Sequence, residues 1–334
     1  MAAPKTNVLV DGFGRRVSYL RLSVTDRCDF RCVYCMAEEM TFVPRKEILS
    51  LEELALVSQA FVELGVTKIR LTGGEPLIRK DIQTLVKNIA KLPGLEELTL
   101  TTNGSQLSRL APSLFQSGLN RINVSLDTLK ADRFKEITRT GDLAKVLNSI
   151  KVAKSAGFNN IKINSVILKG RNDDEILDLA RFSIRNNLDL TFIEEMPLGL
   201  IDEQQRDERF ISSAEIREHL ARIYKLTSSS EKSGGPARYY FAEGHDTRFG
   251  FISPHSENFC SSCNRVRVTA EGRLLLCLGN ENSIDLRAIT RNKPGDVDVL
   301  KEAIQNAMVL KPEQHHFNDA EQVKIVRFMN ATGG

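Results

Sequence analysis

The sequence predicts an α/β fold: a partial (β/α)6 TIM-like barrel over residues 10–228, followed by a smaller C-terminal domain over residues 229–334. Three observations predict it. Short β-rich runs alternate with amphipathic helical patterns from residue 19 to 196, and glycines stand where the helices should stop. After residue 200 the alternation breaks down, and Ser228–Ala237 (SSSEKSGGPA) reads as the seam between the two parts.

The expected strands are Tyr19–Val24, Lys68–Leu71, Glu97–Thr101, Arg121–Ser125, Ile161–Leu168 and Asp189–Ile193. Between them lie helical stretches at Leu51–Leu64, Asp81–Leu92, Ser108–Ser117, Leu143–Ala156 and Asp173–Asn186. Ser50, with Glu53 three residues on, is a capping box for the first helix, and Gly65, Gly118 and Gly157 are stop signals. Repeated βα units call for parallel strands joined by right-handed crossovers. Six units are fewer than the eight of a closed barrel, so the barrel should stay open, with function at the carboxyl ends of its strands. Polar motifs stand there: Thr72-Gly73-Gly74-Glu75-Pro76, Thr101-Thr102-Asn103-Gly104 and Ser125-Leu126-Asp127.

The chain has 334 residues, enough for a large core and a second unit. Its 46 Lys and Arg against 43 Asp and Glu give a net charge of +3, too little to indicate a nucleic-acid partner. No apolar run approaches the roughly 18 residues of a membrane span. The N-terminal MAAPKTNVLVDGFGRR has no apolar signal core, so the expected compartment is the cytoplasm.

The six cysteines fall into two groups of three. In a reducing compartment they read as metal or cluster ligands rather than disulfides. Cys28, Cys32 and Cys35 place three soft ligands in one loop directly after the first strand. A [4Fe-4S] cluster usually takes four thiolates, so three leave one iron open to a small molecule. Zinc would want a fourth ligand, and only Asp26 and Asp29 stand nearby. Cys260, Cys263 and Cys277 repeat the pattern; here a second open cluster competes with zinc, for which His255 could complete the set. Between them Asn264-Arg265-Val266-Arg267-Val268 alternates as a strand, which puts Arg265 and Arg267 on one face as a fork suited to phosphate oxygens. Arg70 and Lys162 sit inside apolar strands, where an unpaired charge is costly.

C-x3-C-x-Y-C after a first strand, with GGEP after a second, resembles the radical S-adenosylmethionine (SAM) superfamily. The second motif, C-x2-C-x-R-x-R-x9-C, together with Leu22–Cys28 (LSVTDRC), Lys68–Pro76 (KIRLTGGEP) and the terminal Gly333-Gly334, narrows it. The chain resembles the molybdenum cofactor biosynthesis protein A family, the GTP 3′,8-cyclases, over nearly its whole length. That resemblance implies a radical SAM core and a C-terminal cluster-binding domain, two [4Fe-4S] clusters and SAM as cofactors, and a lyase activity at the first step of molybdenum cofactor biosynthesis. It implies that Cys28, Cys32 and Cys35 hold the cluster that binds SAM and that Cys260, Cys263 and Cys277 hold a second cluster facing the substrate. SAM would contact Tyr34, Gly74, Ser125 and Met196 (in Glu194-Glu195-Met196-Pro197), and GTP would contact Arg21, Arg70, Thr101, Lys162, Arg265 and Arg267. A 5′-deoxyadenosyl radical would take the hydrogen from ribose C3′, and C3′ would then bond to guanine C8. The implied partners are GTP, an external reductant and, downstream, the cyclic pyranopterin monophosphate synthase; a homodimer is compatible, and neither nucleic acid nor membrane is implied. In the family the Gly-Gly tail reaches into the barrel; Thr332 stands where an apolar residue is expected before it.

Two rival readings remain open. A peptide-modifying radical SAM maturase with an auxiliary cluster usually carries more cysteines in its second part. A zinc-bearing nucleic-acid module would use Cys260 and Cys263 with the arginine-rich strand.

Overall fold

The computed structural model describes residues 8–196, 198–199, 208–231, 234–257, 259–315 and 327–333. Pro197 and Gly334, and residues 232 and 233 within the expected seam, lie outside them.

Six strands run parallel and in chain order: β1 (Tyr19–Ser23), β2 (Lys68–Thr72), β3 (Glu97–Thr102), β4 (Arg121–Ser125), β5 (Ile161–Ile167) and β6 (Asp189–Glu194). Each lies within a residue or two of its expected bounds. The crossovers carry α1 (Leu51–Glu63), α2 (Ile82–Ile89), α3 (Leu107–Gln116), α4 (Ala131–Thr138), α5 (Leu143–Ser155) and α6 (Ile176–Arg185). The capping box forms at α1, where the Glu53 amide donates to Ser50 Oγ (3.1 Å) and the Ser50 amide to Glu53 Oε2 (2.7 Å). A cap of this kind stabilises a helix by about 1 kcal/mol. Gly65, Gly118 and Gly157 end their helices at φ of 91°, 95° and 110°, a region that disfavours a Cβ. Helix α4 was not among the expected elements. Its short, charged segment forms because Phe134 and Ile137 are buried, a tertiary gain that local periodicity does not report.

The C-terminal third does more than follow the barrel; it extends it. β10 (Arg265–Val268) pairs parallel with β1, and β9 (Arg248–Ile252) pairs parallel with β6. Eight parallel strands therefore stand side by side in the order β10-β1-β2-β3-β4-β5-β6-β9. Antiparallel strands close the flanks: β11 (Arg273–Leu275) and β12 (Ser283–Asp285) beyond β10, and β8 (Arg238–Ala242) and β7 (Leu226–Ser228) beyond β9. The expected boundary at residue 228 falls at the end of β7, inside this one sheet. Covering both edges of the six-stranded unit satisfies backbone groups that would otherwise be open to solvent. Helices α7 (Ser213–Ala221), α8 (Leu286–Asn292), α9 (Val297–Ala307) and α10 (Met329–Thr332) complete the α-helices among the described residues. Among the described residues no helix is long and apolar enough to cross a membrane.

The period of two decides what each face of the sheet does. Leu20 and Leu22, Ile69 and Leu71, Leu98 and Leu100, Ile122 and Val124, Leu190 and Phe192, and Val266 and Val268 alternate out of the concave side and join one buried core. Burying a side chain such as Phe192 contributes about 1.5–3 kcal/mol. The residues between them are polar or charged and line the inside.

Candidate functional site

Those inward residues converge. Tyr19 and Arg21 of β1 align with Lys68 and Arg70 of β2, and also with Arg265 and Arg267 of β10. Asn123 of β4 aligns with Thr101 of β3 and Lys162 of β5. All of them line a single cavity of about 1970 Å³, its open mouth included.

Every site residue expected from the sequence lines this cavity: Cys28, Cys32 and Cys35; Cys260, Cys263 and Cys277; Tyr34, Gly74, Ser125 and Met196; Arg21, Arg70, Thr101, Lys162, Arg265 and Arg267. His255, the candidate fourth zinc ligand, does not line it; its ring packs edge-on against Phe210.

The first thiol triad is held by the loop after β1. Its approach is locked to the loop after β2, where the Gly74 amide donates to Thr25 O (2.8 Å) and the Glu75 amide to Arg27 O (2.8 Å). A Cβ on Gly74 would lie 2.2 Å from Arg27 O, and one on Gly73 2.5 Å from Thr25 O, so only glycine allows this approach. Glu75, fully buried, accepts from the Leu77 amide (2.9 Å), Thr102 Oγ1 (2.8 Å) and the Asn103 amide (2.7 Å). Burial, only partly offset by these donors, pushes its carboxyl up to about 7. Asn103 in turn points Nδ2 at Cys28 Sγ (3.7 Å) and at Asp29 Oδ1 (2.7 Å). Tyr34 Oη donates to Asp127 Oδ2 (2.7 Å), whose burial raises it to about 6.

Burial raises all three thiols of the first triad, Cys35 to about 12. Neighbouring carboxylates, Glu75 and Asp29 at Cys28 and Asp127 at Cys32 and Cys35, push the same way. Such thiols ionise by binding metal, not by themselves. Three soft donors in one loop, N–H groups at 3.4 and 3.7 Å from Cys28 Sγ (Phe30 and Asn103), and no fourth thiol suit a four-iron cluster with one open iron.

The same cavity gathers a concentration of cations. Arg70 donates through Nη1 to Thr101 Oγ1 (3.0 Å) and through Nε to Tyr19 Oη. Lys162 Nζ donates to Tyr239 Oη (2.9 Å). Burial lowers Arg21 to about 10, and it lowers Lys162 and Arg267 as well, which marks a site short of anions. Burial alone would raise Tyr19, but Arg70, Arg21 and Lys68 bring its phenol down to about 7.

The described end of the chain enters the same place. Gly333 O accepts from Arg21 Nη2 (2.9 Å) and Thr72 Oγ1 (2.9 Å), with Arg267 Nη1 at 3.4 Å. Thr332 is fully buried and donates from Oγ1 to Met329 O (3.0 Å). Its hydroxyl is thereby satisfied where an apolar residue was expected.

Lys68 and Tyr19 were missed by sequence reasoning. Their signal was present, since each lies two residues before a cation already chosen and so on the same strand face. Asn103, Glu75 and Asp127 stood in the polar motifs at the strand ends but had no assigned task.

A partial barrel with three cysteines in the loop after its first strand and a Gly-Gly loop after its second defines a radical SAM enzyme. The radical SAM superfamily model matches residues 22–183, and a second model, Molybdenum Cofactor Synthesis C, matches residues 188–317. The two models meet just before β6, well ahead of residue 228. More narrowly, the chain belongs to the GTP 3′,8-cyclase family. It is 61% identical over 330 residues to the GTP 3′,8-cyclase of Pseudomonas putida, covering 98% of this chain and 99% of that one. It is 58% identical to the GTP 3′,8-cyclase of Saccharophagus degradans, covering 99% and 100%. The crystal structure of Streptococcus suis SuiB bound to S-adenosylmethionine shares the fold at 15% identity, with a TM-score of 0.63 over 94% of this chain and 77% of that one. SuiB bound to its precursor peptide SuiA gives 0.65 at 14% identity, over 98% and 77%. Membership of the radical SAM superfamily brings with it one [4Fe-4S] cluster and SAM.

Proposed function

We propose that this chain converts GTP to (8S)-3′,8-cyclo-7,8-dihydroguanosine 5′-triphosphate, the first step of molybdenum cofactor biosynthesis, between two [4Fe-4S] clusters. The observation that carries the reading is the set of buried and half-buried cations that shares one cavity with two thiol triads. Cys28, Cys32 and Cys35 hold the first cluster, and Tyr34, Gly74, Ser125 and Met196 line the place for SAM. Cys260, Cys263 and Cys277 hold the second. When bound, the first cluster and SAM supply the 5′-deoxyadenosyl radical.

The chain's own residues do the rest. Arg21, Arg70, Lys162, Arg265 and Arg267 provide five positive charges for a triphosphate of about four negative ones, in a cavity where such pairings are strong. Thr101 orients Arg70. The tail at Gly333 ties Arg21 and Thr72 together at the cavity wall. Fixing ribose and base relative to SAM is the main contribution asked of the protein, because the radical discriminates poorly by itself. The remaining expectations, a cytoplasmic location, an external reductant, a homodimer and product transfer to cyclic pyranopterin monophosphate synthase, go with this reading.

Anaerobic incubation of the reconstituted chain with SAM, a reductant and GTP should yield 5′-deoxyadenosine and a cyclised nucleotide in step. About eight irons per chain are expected. 5′-Deoxyadenosine formed with a peptide but not with GTP would overturn the reading.

A further inference from the structure

Lys311 is used by nothing described so far. It follows the turn Met308–Leu310, and its backbone amide donates to Met308 O (3.1 Å). Its side chain runs inward until only 2% of the residue is exposed. There Nζ donates to Leu276 O (2.9 Å), on the residue before Cys277, and lies 3.6 Å from Cys263 Sγ. No carboxylate among the described residues forms an ion pair with it. A buried ammonium without a counter-charge costs several kcal/mol, so its place against a thiol calls for an anion at that thiol.

The placement is built, not incidental. Arg15, anchored by Asp11 (Nε to Oδ2, 2.6 Å), donates to Cys260 O (2.8 Å) on one side and to Pro312 O (2.7 Å) and Glu313 O (2.6 Å) on the other. One guanidinium thus clasps the loop of the second triad to the segment that carries Lys311.

The surroundings of the two triads also differ in sign. Glu75, Asp29 and Asp127 face the first. Arg265 and Lys311 face Cys263, and Lys311 also acts on Cys277. Three thiolates on a cluster core of formal charge about +2 leave about one net negative charge, and reduction adds another. A cation beside the second cluster stabilises its reduced form, and carboxylates beside the first do the opposite.

We propose that Lys311 is a positioning residue of the second cluster: its ammonium donates to Cys263 Sγ, supplies the positive charge that balances the cluster, and holds its reduction potential above that of the first. The strongly reducing cluster is then the one that meets SAM. This rests on the reading that Cys260, Cys263 and Cys277 hold a four-iron cluster, and the test separates the two claims.

The full-length chain with Cys28→Ala, Cys32→Ala and Cys35→Ala is reconstituted with iron and sulfide, so that only the second triad can hold a cluster. Iron content, paramagnetic resonance of the reduced cluster and its midpoint potential are measured with and without Lys311→Met or Lys311→Arg. The parent should bind about four irons. In K311M the reduction equilibrium should fall at least tenfold, about 59 mV for one electron, while K311R should stay within about threefold of the parent. K311M with the parent's iron and an unmoved potential overturns the proposal and leaves the cluster reading intact. If K311M holds no iron, K311R decides: retention of the cluster supports the charge role, and its loss overturns it. A parent that binds no iron removes the cluster reading and the proposal together.

Discussion

Gly74→Ala tests how the Gly-Gly loop positions the radical-generating site. The new Cβ would lie 2.2 Å from Arg27 O, 2.5 Å from Arg27 C and 2.7 Å from Asp26 O, where ordinary contact begins at 3.4 Å. The worst deficit is about 1.2 Å, and the obstacle is backbone, which cannot rotate aside. That backbone is pinned by the bonds from Gly74 N to Thr25 O and Glu75 N to Arg27 O, and by Asn330 Nδ2 to Asp26 O (2.9 Å). Relief must break these bonds or push residues 25–27 outward, carrying Cys28 with them. Overpacking costs about 1–3 kcal/mol and each lost hydrogen bond about 1 kcal/mol, so the apo chain should lose roughly 2–5 kcal/mol in anaerobic denaturant unfolding. A displacement near 1 Å at the reacting centre costs on the order of a hundredfold in rate, so 5′-deoxyadenosine formation should fall by about that much. Gly12→Ala is the control: its Cβ would meet nothing closer than 3.6 Å, and its stability should stay within about 0.5 kcal/mol of the parent. If G74A behaves like G12A in both assays, the close approach does not position this site.

Three further outcomes are expected. Lys162→Ala should weaken GTP binding roughly ten- to a hundredfold, the worth of one charged hydrogen bond, with iron content unchanged; equilibrium binding at fixed salt decides, and unaltered affinity would remove Lys162 from the phosphate site. One phenol of the ligand-free chain should titrate near pH 7 by near-ultraviolet absorbance and vanish in Tyr19→Phe. Because the folded phenol ionises near 7 and the unfolded one near 10, the folded state binds fewer protons between them. Tyr19 should therefore add stability as pH rises from about 7 to about 10 and lose it as pH falls through 7, a slope that Tyr19→Phe abolishes. Deleting Gly333 and Gly334 should preserve iron content and lower cyclisation about tenfold or more, since the bonds from Arg21 and Thr72 to Gly333 O are lost; undiminished turnover would show the tail to be dispensable.

The βα core was legible because its signals are local. Ser50 with Glu53, the stop glycines and the period-two strands each act within a few residues, and short strands between long helices leave little choice but parallel crossovers. The cysteine triads and the Arg265/Arg267 face were legible for the same reason: a loop of eight residues or a single strand holds each set together. Strands β9 and β10 were not assigned to the barrel, because four- and five-residue strands gain their stability from partners far away in sequence, β6 and β1.

The sequence by itself determined which atoms are available: six thiols, inward cations every second residue, and glycines where a Cβ cannot go. Only the tertiary structure decided that the six thiols, the cations of β1, β2, β5 and β10 and the Gly73-Gly74 loop open onto one cavity, that Gly333 docks against Arg21 and Thr72, and that Lys311 lies 3.6 Å from Cys263. The reason is physical. Alternation along a strand says which way a side chain points, but which side chains meet depends on sheet order, register and the closure of long loops, whose energy is spread over the whole core.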